Sequence, residues 1–289
     1  MSGLPRFVFK SRTAVVTGAA SGIGEQIAHG LARRGTTLVL LDRDAERLRA
    51  VASEVRFLNP GVEVGTIIVD LADAPELELV AEGVRATHPR VDLLVNNAGV
   101  ALAGLFEQTS LAEFEWLVDI NLRAPIRLTH HLLPVLMAAP NAHVVNVSSI
   151  FGIIAPPGQT AYSTSKFGLR GFSEALRSEL RPHGIGVTTV HPGGIRTAIA
   201  RNARAASGVQ EADVQAGRDA FDRMLRIPPE RAAELVLRAV ERRKGRLLIG
   251  ASARIPDLAA RIAPVGHAVA FRPILARVPG SLGPAKVRR

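Results

Sequence analysis

Tyr162 and Lys166 stand four residues apart in the stretch AYSTSKFGLRG, and Tyr162 is the only tyrosine of the chain. On a helix that spacing projects both side chains from one face. A free phenol, with a pKa of about 10, is a poor base at neutral pH. A nearby ammonium favours the phenolate and lowers that value. A tyrosine so tuned can take the proton of an alcohol or return one to a forming alkoxide. A Tyr–Lys pair at this spacing is more often a surface pair than a catalytic one, so the neighbouring segments must decide.

Two segments bear on it. In NVSSIFG, an apolar run ends in Ser148 and Ser149, and either hydroxyl could hydrogen-bond a substrate oxygen without being a nucleophile. The chain has no G-x-S-x-G elbow, which disfavours a hydrolase serine. In HPGGIRT, Pro192 and Gly193 would turn the backbone over a bound ring. At the other end of the chemistry lies TGAASGIG, with Gly18, Gly22 and Gly24. Glycines there permit a tight turn and close approach of a pyrophosphate, whose charge is favoured at a helix N-terminus. The spacing G-x-x-x-G-x-G differs from the usual dinucleotide fingerprint. Asp42 follows Gly18 by 24 residues. A carboxylate there accepts from both hydroxyls of an adenosine ribose and repels a 2′-phosphate. Arg43 would instead attract that phosphate. Asp42 holds the more decisive position, which favours NAD over NADP, while Asp44 is the better helix cap.

Elements that could position these residues are readable along the chain. Strand candidates fall at 13–17, 37–42, 65–70, 92–96, 143–148, 186–191 and 246–250. Nearly all are continuous apolar runs, as in parallel strands covered on both faces. Helical patterns lie between them, among them GEQIAHGLARRG, DAERLRAVASEV and PERAAELVLRAVERR. This alternation predicts an α/β fold with a Rossmann-type, doubly wound, seven-stranded parallel sheet and helices on both faces. Residues 1–250 read as one domain, with a substrate loop at about 195–228 that carries no strand pattern. Residues 251–289 read as a basic C-terminal extension whose last residues are expected to be mobile.

TGAASGIG, NNAG, NVSS, YSTSK and HPGGIRT occur in an order and spacing that resembles the short-chain dehydrogenase/reductase family, over residues 10 to 250. The resemblance implies that Tyr162 is the acid/base and Lys166 its electrostatic partner and ribose ligand. It selects Ser149, thirteen residues before the tyrosine, over Ser148. Asn121, in VDINLRAP, would hold its helix and a water that relays protons to the lysine. The implied cofactor contacts are Gly18, Ser21, Gly22, Ile23, Gly24, Asp42, Arg43, Asp70, Leu71, Asn97, Ala98 and Gly99. Near the nicotinamide, Tyr162 and Lys166 are joined by Pro192, Gly193, Ile195 and Thr197. The function implied is hydride transfer between NAD, or NADP, and a secondary alcohol or its ketone, in a homodimer or homotetramer. Two alternatives are a reductase of 3-oxoacyl groups on acyl-carrier protein and a non-catalytic nucleotide-binding scaffold. An intact Ser–Tyr–Lys–Asn set argues against the scaffold. Reductases of the acyl-carrier branch end soon after the seventh strand, whereas this chain continues for about 40 residues.

Composition removes other classes. The chain of 289 residues has no cysteine, so disulfides and thiolate metal sites are excluded. His130 and His131 are adjacent, point about 100° apart on a helix, and cannot share one metal. His191 is expected to pack at its strand end, and no metal site is expected. No apolar run approaches the ~20 residues that cross a bilayer, and the N-terminus lacks a signal-peptide pattern. A cytoplasmic protein is expected. The formal charge of +10 is concentrated at the end: residues 226–289 carry 14 Lys or Arg against 4 Asp or Glu. No nucleic-acid motif accompanies that excess, so nucleic acid is not an expected partner. The extension mixes Leu, Ile, Val and Phe with Arg261, Arg272 and Arg277. It could contact an anionic membrane, cover the substrate pocket or pack on a second subunit. Pro256, Pro264 and Pro273 would interrupt any long helix in it.

Overall fold

The computed structural model describes residues 3–197, 199, 202–210 and 225–266. Seven strands form one sheet: β1 (Thr13–Thr17), β2 (Thr37–Asp42), β3 (Val64–Ile68), β4 (Leu93–Asn96), β6 (His143–Val147), β7 (Gly186–Pro192) and β9 (Arg246–Ile249). Their order is β3-β2-β1-β4-β6-β7-β9, with every neighbouring pair parallel. Two further strands, β5 (Leu102–Ala103) and β8 (Arg204–Ala205), pair in parallel away from that sheet. The segment 195–228 therefore does contain a strand, contrary to the sequence reading. At two residues it is too short to leave a periodic signal. Residues 211–224 of the loop lie outside the described residues, as does the tail from 267 onward that was expected to be mobile.

Eight helices of eight or more residues occur among the described residues. They are α1 (Gly22–Ala32), α2 (Ala45–Leu58), α3 (Ala74–Thr87), α4 (Leu111–Val118), α5 (Ala124–Met137), α6 (Thr160–Leu180), α7 (Pro229–Glu241) and α8 (Ala251–Ile262). Asp44, Asp73 and Ser110 cap α2, α3 and α4 by accepting from backbone N–H groups of the first turn.

The continuous apolar strands are explained by two cores, one on each face of the sheet. Ala14 and Val16 of β1 pack with Leu38 and Leu40 against Ile27, Leu31, Val236 and Leu237 of α1 and α7. The residues between them, Val15, Val39 and Leu41, face Leu77, Leu128, Leu132 and Leu176 of α3, α5 and α6. Alternate residues of a strand thus enter opposite cores, so both parities must be apolar. Gly30 marks where α1 and α7 approach closely: a Cβ there would stand 2.5 Å from Leu237 Cδ1.

Strand order reverses beside β1, whose neighbours are β2 and β4. Crossovers leave to opposite sides there and open a crevice beyond the carboxyl ends of the strands. Asp42, Asn97, Ser149 and Pro192 all stand at those ends.

Candidate active site

One cleft of about 670 Å³ runs across the carboxyl ends of the strands. Of the site residues named from sequence, all but Gly24 and Asn121 line its wall. At one end β1 passes into the glycine turn. Gly18 has φ +64° and Gly22 φ +59°, a left-handed backbone that glycine adopts without strain. Gly24 allows the turn to fold flat, because a Cβ there would lie 2.1 Å from the Gly18 carbonyl oxygen. Asn97 ties the turn to β4, its amide donating to the carbonyls of Thr17 at 3.0 Å and Gly18 at 3.2 Å. Ser21, the N-cap of α1, makes no side-chain capping bond. The first-turn N–H groups are thereby left for an anion, with Gly22 and Ile23 on the cleft wall.

Asp42 has structural work as well. Its Oδ2 accepts from Ala20 N at 3.0 Å and its Oδ1 from Asp44 N at 3.1 Å. Each oxygen keeps lone-pair capacity for a ribose hydroxyl. Arg43 and Arg47 line the same end. This turn, uncapped helix start and strand-end carboxylate fit an adenine dinucleotide.

At the other end, Ser148 and Ser149 diverge. Ser148 is buried and donates to the Lys166 carbonyl at 2.9 Å. Ser149 lies near enough to the Tyr162 phenol to lower its pKa, and its Oγ accepts from Phe151 N at 3.1 Å. Its carbonyl accepts from His191 Nδ1 at 2.9 Å, which fixes the β6 end against β7. His191 is fully buried at its strand end, as the sequence suggested, and burial depresses its pKa to about 4.

Tyr162 and Lys166 share one face of α6, with Lys166 Nζ 5.7 Å from the tyrosine ring centroid. The structure corrects the expected tuning. Burial pushes the Tyr162 hydroxyl above its ordinary value, opposed by the nearby Ser149 hydroxyl. Lys166 is itself buried, which lowers its pKa to about 8. Its ammonium donates to the Val147 carbonyl at 3.0 Å rather than to the phenol. Residue spacing places the pair on one face but says nothing of depth. Lys166 is fully buried and Tyr162 partly so, and burial is the largest cause of both shifts.

Asn121 is fully buried outside the cleft wall, in a single π turn (Asp119–Arg123) between α4 and α5. Its Oδ1 accepts from Val100 N at 2.8 Å and its amide donates to Val100 O at 2.9 Å. It clamps the chain just after Gly99, where a Cβ would meet Asn121 Oδ1 at 3.1 Å and Lys166 Nζ at 3.3 Å.

Several wall residues had no signal in the sequence motifs. Helix α8, the start of the C-terminal extension, contributes Ala251, Ser252, Ile255 and Pro256. It is tied back to β9 by Asp257, which pairs with Arg246 at 2.5 Å. Gly194 N donates to Ser252 Oγ at 3.3 Å. Pro256 sits inside α8 instead of ending it. Its loss of one backbone donor is borne by a helix anchored at both the ion pair and the cleft. Arg204, from β8, was also unforeseen. Away from the cleft, Glu25, His29 and Glu54 bring potential metal-ligand atoms within 4.8 Å of one another, His29 contacting Glu54 at 3.0 Å between α1 and α2. His130 and His131 meet each other edge to face, 5.5 Å apart. No helix of the described residues is long and apolar enough to cross a membrane.

Comparison with known proteins gives a consistent picture. A family model described as short chain dehydrogenase matches residues 12–208. The putative oxidoreductase SadH of Mycobacterium tuberculosis is 38% identical over 258 residues, covering 88% of this chain and 91% of that protein. Among solved structures, a short-chain dehydrogenase/reductase from Burkholderia phymatum in complex with NAD superposes with a TM-score of 0.78. It is 26% identical and covers 91% of this chain and 96% of its own. A short-chain dehydrogenase from Sphingobium yanoikuyae in complex with NADPH has a TM-score of 0.72 and 30% identity, covering 88% and 94% respectively.

Proposed function

This chain belongs to the short-chain dehydrogenase family, and from that premise we propose that it interconverts a secondary alcohol and its ketone with Tyr162 as acid/base. The observation that carries the reading is the continuity of the cleft: the glycine turn and Asp42 share one wall with Ser149, Tyr162 and Lys166. A nicotinamide cofactor, as in the related structures, would accept or supply the hydride. The first turn of α1 would hold its pyrophosphate and Asp42 the adenosine ribose, which favours NAD.

The remaining steps belong to the chain. Ser149 Oγ hydrogen-bonds the substrate oxygen and orients it toward Tyr162. During oxidation, Tyr162 Oη takes the hydroxyl proton as the C–H bond is broken; during reduction it returns a proton to the oxygen. Burial raises the pKa of the phenol, which keeps it protonated but makes it a weaker acid. A positive charge beside it would be needed to make it a base, and Lys166 is the buried cation at hand. Asn121 acts through Val100, holding the loop that borders the lysine.

A panel of secondary alcohols and ketones, followed by nicotinamide absorbance with both NAD and NADP, tests the reading. Turnover with NAD above NADP is expected; failure of every secondary alcohol and ketone would overturn it.

A further inference from the structure

The cleft continues past Tyr162 into a wall made mostly of apolar side chains, including Leu102, Phe151, Ile154 and Ile255. Charge is distributed unevenly along it. Asp42, Arg43, Asp44, Arg47 and Asp70 all lie around the adenosine end, and Lys166 lies at the catalytic centre. Among the described residues, Arg204 is the one other charged side chain on the wall.

Arg204 is exposed at the rim of the cleft, yet it is braced through both its backbone and its side chain. Its backbone is paired with Leu102 through the β5–β8 ladder, and its guanidinium carbon lies 3.9 Å from the centroid of the Trp116 ring. Trp116 packs in the same apolar cluster as Tyr162, so the stacked guanidinium stands on the tyrosine's side of the cleft. Stacking occupies the face of the guanidinium and leaves its edge donors available. Among the described residues no carboxylate pairs with it. Glu113, one turn before Trp116 on α4, is spent on Ser207 N at 2.9 Å and Ser207 Oγ at 3.1 Å.

A positioned, unneutralised guanidinium at the rim of an apolar channel suits an amphiphile: the chain lies along the wall and an anionic head reaches the arginine edge. We propose that Arg204 is the head-group subsite of the substrate cleft, and that the alcohol or ketone turned over is carried on an apolar chain ending in a carboxylate or phosphate. This rests on the dehydrogenase reading, whose own test uses neutral ketones and is therefore separate.

The test is calorimetric titration of the full chain, saturated with NADH, with decanoate, decyl phosphate and neutral decanamide. An anion accepted by this exposed but ring-stacked guanidinium should bind roughly two- to fivefold more tightly than the amide. Comparing decanoate with decyl phosphate identifies which anion the subsite prefers. In Arg204→Met the preference should vanish while amide binding persists. Arg204→Lys, which keeps the charge but not the flat stack, should retain part of it. Added salt should shrink the preference in the unaltered protein, a result that needs no variant to fold. Equal binding of anions and amide, absence of binding by all three, or a preference that survives Arg204→Met would each overturn the proposal. Loss of hydride transfer to neutral ketones with anion preference intact would instead indict the dehydrogenase reading.

Discussion

Replacing Gly24 with alanine should damage the protein in a way that its chemistry, a single added methyl, does not suggest. That methyl would stand 2.1 Å from the Gly18 carbonyl oxygen and 2.5 Å from Asn97 Nδ2. A relaxed carbon–oxygen contact needs about 3.3 Å, so α1 and the glycine turn must separate by roughly 1 Å. Neither neighbour yields easily. One is backbone, and the other is fixed by amide bonds to Thr17 O and Gly18 O. Overpacking of this kind costs about 1–3 kcal/mol, and each loosened hydrogen bond adds about 1 kcal/mol. At roughly 2–4 °C per kcal/mol for a domain of this size, the melting temperature should fall by at least several degrees. The displaced turn is also where the pyrophosphate would sit, so NADH affinity measured by fluorescence titration should weaken by about tenfold or more. Gly83→Ala is the matched control. It lies in α3 with nothing within 4 Å of the added carbon, and should leave the melting temperature unchanged or raise it by the helix preference for alanine. If Gly24→Ala melts and binds NADH like the unaltered protein, the close-packed turn is not as described.

Two further outcomes follow from the site. Asp42→Ser removes the carboxylate and leaves Arg43 and Arg47 at the adenosine end, so the NADP-to-NAD ratio of kcat/KM should rise at least about tenfold; an unchanged ratio would remove Asp42 from cofactor choice. His191 concerns stability in acid. Its folded pKa of about 4 lies below the ordinary value, so the unfolded chain binds the extra proton first as pH falls. Stability is then lost from about pH 6.5 down through pH 4, by about 3 kcal/mol on this account. His191→Asn should flatten that part of the denaturant-midpoint profile, and an equally steep profile would refute the assignment.

Much of the fold was legible because its signals are local and periodic. Val15 and Val16 point to opposite cores, so buried parallel strands must be apolar at both parities, and that pattern survives in the bare sequence. The glycine turn was legible because its backbone at Gly18 and Gly22 demands glycine. What escaped lies where contacts are distant in sequence. The β5–β8 pair has two residues per strand and no period, yet it brings Arg204 to the cleft. Ser252 and Ile255 reach the wall only because Arg246 and Asp257 fold α8 back. The choice between Ser148 and Ser149 rests on family resemblance, since the two are adjacent in sequence and only their side-chain partners differ, Ser148 donating to the Lys166 carbonyl. Spacing likewise paired Tyr162 with Lys166 but carried no measure of burial, and burial reversed the expected shift of the phenol.

The central claim is that Tyr162 moves the proton. Tyr162→Phe keeps the ring against Phe151, which it meets edge-on at 6.1 Å, and removes only the hydroxyl. With a ketone found active in the substrate panel, kcat should fall by roughly a hundred- to ten-thousand-fold, while NADH affinity and melting temperature stay near those of the unaltered protein. Turnover retained in Tyr162→Phe, with NADH still bound, would contradict the account.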